Sequence, residues 1–174
     1  GLLVYHNTFC TNTSFVSAAN AHFRNNLFMS TNAQRPWSGT FLTGYSSMDY
    51  NGYSDLQKGF RWRQPSDPLY NNGDESELPW QEAEDLTGFR QATGWEKHGL
   101  SLDYSIFQNV TAPDPGERGK VYPKEGVDFR LIPGTDAIDA GVILPNINDG
   151  FKGEAPDLGV MEAGGEEIKY GRRK

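Results

Sequence analysis

His6, Arg24 and Tyr50 are the residues whose types best suit chemistry on a charged substrate. An imidazole moves a proton near neutral pH, a guanidinium pairs bidentately with a carboxylate, and a phenol ring gives a sugar a stacking face. The three form a weak catalytic set, with Arg24 and Tyr50 also counted as substrate-binding groups. Arg61-Trp62-Arg63 is a second concentration of positive charge; in an extended strand Arg61 and Arg63 share one face and Trp62 takes the other. The two arginines suit an anionic sugar, and the plainer reading is an edge strand with a buried Trp. Asp136 and Asp139 flank a turn, and Asp149 and Asp157 lie in Gly- and Pro-rich loops. Two carboxylates held ~5–9 Å apart can hydrolyse a glycosidic bond, and with Asn146 and Asn148 such groups offer hard oxygen ligands to Ca²⁺. The commoner role of Asp and Asn in such stretches is to cap turns through nearby backbone groups. No cofactor is therefore expected, Ca²⁺ being the one weak candidate. With three His and the single Cys10, a zinc set is not expected. The stretch from Asp49 superficially resembles a calcium loop, but its twelfth position is Phe60 rather than Glu, which rejects an EF-hand. There is no nucleophile-elbow motif and no phosphate-binding glycine loop.

For His6, Arg24 and Tyr50 to act together, something must stack them, and a repeat supplies it. Val4-Tyr5-His6-Asn7-Thr8-Phe9 aligns with His22-Phe23-Arg24-Asn25-Asn26-Leu27, and more weakly with Met48-Asp49-Tyr50-Asn51-Gly52-Tyr53. In this alignment Tyr5 falls on Phe23, His6 on Arg24, and Asn7 on Asn25 and Asn51. Residues two apart in a strand share a face, so Tyr5, Asn7 and Phe9 are predicted to point inward with Phe23, Asn25 and Leu27. Stacked as parallel strands ~4.8 Å apart, the Asn side chains can hydrogen-bond along their column, which offsets the cost of burying them. His6, Arg24 and Tyr50 then form an outward row, with Val4, His22 and Met48 beside it. Unequal steps between copies suit strands of fixed geometry joined by loops of variable length.

Composition bounds the rest. The chain has 174 residues, 36% hydrophobic and 13% aromatic, with 20 Gly and 10 Pro. That length can bury one core, the aromatics argue against wholesale disorder, and so many turn residues favour short strands over long helices. A net charge of −7 is the wrong sign for nucleic acid binding through the bulk field. No apolar run approaches the ~20 residues of a membrane span. One cysteine excludes an internal disulfide framework. Thr87 is the expected N-cap, and Gly94 the stop, of a short helix over Leu86-Thr87-Gly88-Phe89-Arg90-Gln91-Ala92-Thr93.

The order of these pieces resembles the C-terminal portion of bacterial right-handed parallel β-helix repeat proteins of pectate-lyase-like architecture. The marks are the Asn-Thr and Asn-Asn strand turns, Asp49-Tyr50-Asn51-Gly52-Tyr53, and the helix ending Ala92-Thr93-Gly94. Asp128-Phe129-Arg130-Leu131, Ala137-Ile138-Asp139-Ala140-Gly141 and Ala155-Pro156-Asp157-Leu158-Gly159 then follow in the family's order. Two features depart from it: Asp136, where the family often has Ser-Pro or Ser-Ala before the turn, and the basic ending Lys169-Tyr170-Gly171-Arg172-Arg173-Lys174. The resemblance implies an all-β fold, a right-handed parallel β-helix solenoid. Its last coils would occupy residues 1–65, a loop insertion with the short helix 66–104, and final strands with a loop-rich cap 105–174. It implies a secreted, cell-surface or periplasmic bacterial protein that binds or degrades extracellular polysaccharide, as a lyase or a glycoside hydrolase. The alternatives are a non-catalytic glycan-binding or structural solenoid, and a capping piece whose active face lies in coils upstream. Because the first recognisable strand opens the sequence, missing N-terminal coils or another chain are expected to cover that end. No nucleic acid partner and no membrane span are expected.

Overall fold

The computed structural model describes residues 1–31, 35–54, 58–65, 78–114, 116–117, 119–123 and 125–165. Most of the acidic stretch after Pro65, and the basic tail from Lys169, lie outside the described residues. The described part of the chain is mainly β, with one α-helix. Strands β1 (Leu2–Tyr5), β4 (Ala21–Arg24) and β7 (Ser47–Asp49) form a first parallel sheet. A second joins β2 (Thr8–Phe9), β5 (Leu27–Met29), β8 (Gly52–Ser54) and β11 (Leu100–Ser101), also in parallel. The third holds β3 (Thr13–Ala18), β6 (Trp37–Phe41) and β9 (Phe60–Arg63), with β10 (Gln81–Ala83) added antiparallel at the β9 edge. From β1 to β6, each strand thus pairs in parallel with the strand three places on, as β8 does with β11. Helix α1 (Leu86–Thr93) follows β10, and β12 (Phe107–Asn109) pairs antiparallel with β13 (Asp128–Leu131).

The turn from the first sheet to the second repeats one backbone device. His6, Asn25 and Tyr50 each take a left-handed conformation, at φ 53, 58 and 57°. Each is followed by an asparagine. A non-glycine residue there costs about 1 kcal/mol or more, and the asparagines answer it with a ladder. The backbone N–H and Nδ2 of Asn7 donate to Asn26 Oδ1, at 3.0 and 3.3 Å. Those of Asn26 donate to Asn51 Oδ1, at 3.0 and 2.8 Å. Asn51 Nδ2 then donates to Glu96 Oε1 at 2.7 Å and its N–H to Oε2 at 3.3 Å. Every rung runs the same way, so the last needs acceptors, and the two carboxyl oxygens of Glu96 supply them.

This register differs by one residue from the sequence expectation. Val4, not Tyr5, pairs with Phe23 and then Met48, and all three are buried. Tyr5 pairs with Arg24, and Arg24 with Asp49, on the outward face. The ladder is Asn7–Asn26–Asn51, with steps of 19 and 25 residues, and Asn25 occupies the left-handed column instead. His22 faces outward, while Val4 and Met48, expected beside it, face in.

Aromatic side chains fill the space between the sheets. Phe9, Phe28 and Tyr53 stack in line, with centroids 5.2 and 5.3 Å apart. Phe89 of α1 lies on Phe60 at 4.3 Å and edge-on to Trp62 at 5.0 Å, so the helix plugs the core at the end away from β1. A second apolar cluster joins Leu27 and Met29 to Ile106, Phe107, Leu131, Ala137 and Leu158, holding the C-terminal segment to the second sheet. Gly159 lets it approach: at φ 86° it tolerates the left-handed backbone, and a Cβ there would meet Leu27 at 2.6 Å.

Helix α1 stops at Gly94, φ 72°, as expected, but its N-cap is Asp85 rather than Thr87. Asp85 Oδ1 accepts the Gly88 N–H at 2.7 Å. Asp85→Ala is expected to cost about 1 kcal/mol, read as a lower thermal midpoint, whereas Thr87→Ala leaves the midpoint in place.

Candidate functional site

Residue alternation on the first sheet buries Val4, Phe23 and Met48 and turns two rows of side chains outward. One row is Leu3, His22 and Ser47; the other is Tyr5, Arg24 and Asp49. His22 Nδ1 lies 2.8 Å from Ser47 Oγ. Arg24 Nη2 donates to the same Oγ at 2.8 Å, and its Nη1 to the carbonyls of Phe23 and Ser47 at 2.7 and 3.1 Å. These bonds fix the guanidinium across the strands. Burial and the Arg24 charge both lower the His22 pKa, keeping the imidazole neutral at pH 7.

At the far edge of this face, His98 Nδ1 lies 3.0 Å from Asp49 Oδ2, and the His98 N–H donates to Asp49 Oδ1 at 2.8 Å. The His98 ring stacks on Tyr50 with centroids 4.2 Å apart. Burial pushes the Asp49 carboxyl up, but the hydrogen bonds from His98 and Tyr50 outweigh it and bring it below the ordinary range. The face therefore presents a rigid guanidinium, a neutral imidazole on a serine hydroxyl, and an aromatic pair.

Of the residues singled out in the sequence, Arg24 and Tyr50 belong to this face. The expected single row does not form: His6 and Tyr50 share the left-handed column with Asn25 between them, and Arg24 lies one position back, in the row with Tyr5 and Asp49. His6 Nε2 accepts the side-chain amides of Asn25 and Asn148, at 2.9 and 2.8 Å, and burial lowers its pKa. It lines a cleft of about 350 Å³ with Tyr5, Asn148, Phe151 and Glu162. Arg61 and Arg63 lie on the third sheet. There Trp62 is buried, and both guanidinium carbons sit over Trp80, 4.2 and 4.1 Å from its centroid. Glu82 lies 3.4 Å from Arg61 and 3.3 Å from Arg35. The structure thus separates the four candidate substrate-binding residues into two clusters.

The aspartates act on backbone. Asp139 Oδ1 accepts the N–H groups of Glu154 and Ala155, at 2.8 and 3.1 Å. Asp157 accepts those of Asp139 and Ala163, at 2.8 and 2.6 Å. Asp149 Oδ2 accepts the Asn146 N–H at 2.9 Å, and Asn148 Oδ1 the Leu144 N–H at 2.7 Å. Asp136 is exposed on a turn. Among the described residues no group of three or more His, Cys, Asp or Glu is placed to hold a metal ion.

Sequence reasoning missed Ser47, Asp49 and Glu96 as polar partners. His22 and Ser47 are 25 residues apart, and only the correct strand register sets them side by side. The structure defines a mainly β chain built on parallel sheets, with a polar outer face on the first of them. Among the described residues no helix is long and apolar enough to cross a membrane. Comparison with protein-family models, curated proteins and solved structures finds no match to this chain.

Proposed function

We propose that the chain is the C-terminal part of a secreted, right-handed parallel β-helix protein that binds an acidic extracellular polysaccharide and cleaves it by β-elimination. The observation that carries the reading is the outward set His22, Arg24 and Ser47 on two adjacent parallel strands, flanked by Tyr5 on a third and by the Tyr50–His98 pair. A polymer lying across the strands meets a guanidinium for its carboxylate, rings for its sugar faces and the His22–Ser47 pair for the proton beside the carboxylate. Two-carboxylate hydrolysis is less well supported, because Asp139, Asp149 and Asp157 are occupied by backbone N–H groups.

The β-helix reading is supported by the pairing of strands three places apart and by the ladder's polarity. At one end β1, β2 and β3 each pair on one side only, Leu3 is 62% exposed, and Asn7 Oδ1 accepts no bond among the described residues. The opposite end is closed by Glu96, α1 and β10. A further coil of the same protein, or another chain, bringing an amide donor over Asn7 would continue both the sheets and the ladder. A binding-only reading is favoured by the three bonds that already occupy Arg24.

The test is incubation with a panel of uronate polymers. Cleavage is expected to give the ultraviolet absorbance of unsaturated uronates, and Arg24→Ala to weaken retention on the polymer about tenfold or more. Retention without product selects the binding-only reading, and neither retention nor product rejects the proposal.

A further inference from the structure

We propose that Ser47 is the nucleophile of an ester hydrolase site, with His22 as its general base, directed at acyl esters on the bound polysaccharide. The nature of the substrate rests on the polysaccharide reading above; the site itself rests on geometry alone. Arg24 Nη2 can only donate, so it occupies a lone pair of Ser47 Oγ at 2.8 Å. In the proposed site the hydroxyl hydrogen is directed to His22 Nδ1, also at 2.8 Å, with the neutral ring's own proton on Nε2. This is the arrangement in which a serine can be deprotonated as it attacks. Ser47 and His22 are direct partners across a parallel pair, His22↔Ser47, so the contact is set by the sheet rather than by a loop. Both side chains are half-buried on the outward face, within reach of a substrate lying on it.

The chemistry balances with water as the only co-reactant. Ser47 Oγ bonds to the ester carbonyl carbon while its proton passes to His22 Nδ1. Arg24, held by the carbonyls of Phe23 and Ser47, places a fixed positive charge beside Ser47 Oγ, where it favours the negative charge that develops on the carbonyl oxygen of the ester as the Oγ–carbon bond forms. Collapse breaks the bond to the sugar oxygen, which leaves as an alcohol with the proton from His22. Water, deprotonated by His22, then cleaves the acyl-serine, releasing a carboxylic acid and restoring Ser47. The acid released and the deacylated sugar are the only products.

The test uses the chain as it stands, with a fluorophosphonate probe followed by peptide mass mapping and with p-nitrophenyl acetate hydrolysis read at the same protein concentration. One adduct is expected, on Ser47, and both labelling and hydrolysis should fall about 100-fold or more in Ser47→Ala and His22→Ala. Ser47→Cys, which retains a nucleophile, should keep reactivity toward a thiol-directed probe in a His22-dependent way and guards against a folding artefact in the alanine variant. Hydrolysis should also decline as pH falls through the imidazole range, because protonated His22 cannot accept the proton. Absence of an adduct on Ser47, or one unaffected by His22→Ala, overturns the proposal. Retention on uronate polymers is measured separately with the wild-type chain. Retention without Ser47 labelling rejects the esterase and keeps the binding reading, whereas labelling without retention does the reverse.

Discussion

Asn51→Ala is expected to lower stability by about 4 kcal/mol, since each buried group it orphans costs ~1–3 kcal/mol and more when charged. The side chain stands between two buried dependants. Its Oδ1 accepts both the backbone N–H and the side-chain amide of Asn26, and its Nδ2 donates to Glu96 at 2.7 Å. Asn26, Asn51 and Glu96 are all 0% exposed, so water cannot replace what is lost. Alanine leaves the Asn26 N–H without an acceptor and removes the shortest amide bond to a buried carboxylate. Asn51→Asp should cost more still at neutral pH. It keeps an acceptor for Asn26 but loses the donor to Glu96 and sets two carboxyl groups against each other. Urea denaturation is the measurement: a lower midpoint at unchanged slope is expected for both variants, in the order wild type, Asn51→Ala, Asn51→Asp. An Asn51→Ala chain within 1 kcal/mol of wild type would mean that the ladder is not what fixes the strand register.

That ladder also explains how much of the fold could be read from the sequence. The recurrence of an aromatic-rich strand with an asparagine was visible, as were the short helix, its glycine stop and the buried Trp62. The register was not, because the second copy has two adjacent asparagines, Asn25 and Asn26, and either can be laid over Asn7. Physically the two positions differ: one must accept positive φ, the other must point inward. His6 and Tyr50 fill the first kind of position; His is enriched at positive φ, but Tyr is not a residue type that announces a left-handed turn. A shift of one residue exchanges the two faces of a strand. It therefore moved Tyr5 from outside to inside and His22 away from Ser47. Once Val4, Phe23 and Met48 are placed inward, the third copy fits the other two, with Asp49 outward beside Arg24. Glu96 had no repeat to reveal it. It arrives after the excursion through β9, β10 and α1, and its role follows from a directional hydrogen-bond column that needs an acceptor at its end.

Glu96 should make stability fall with pH in a range where most proteins are indifferent. The carboxyl is fully buried, and burial pushes its pKa from 4.5 to about 7, against the opposing bonds from Tyr53 and Asn51 and with a further upward push from the Asp49 charge. The folded chain therefore holds this proton more tightly than the unfolded chain. The resulting stabilisation is fully present below pH 4.5 and is lost as pH rises through about 7. A shift of this size corresponds to roughly 3 kcal/mol. Other groups act in the opposite direction. His6 and His22 have lowered pKa values, so they favour the unfolded chain as pH falls below 6.5. Asp49, also lowered, acts only as pH falls through the carboxylate range near and below 3.8. The raw stability curve mixes these terms, and the difference between wild type and Glu96→Gln separates them. Glutamine keeps an oxygen for Asn51 Nδ2 and the Tyr53 hydroxyl but does not titrate. Denaturant midpoints measured from pH 4 to 8 should show wild type losing roughly 3 kcal/mol relative to Glu96→Gln between pH 4.5 and 7, then running parallel to it. A difference that stays flat over that interval would place the proton elsewhere in the ladder and remove Glu96 as its titrating end.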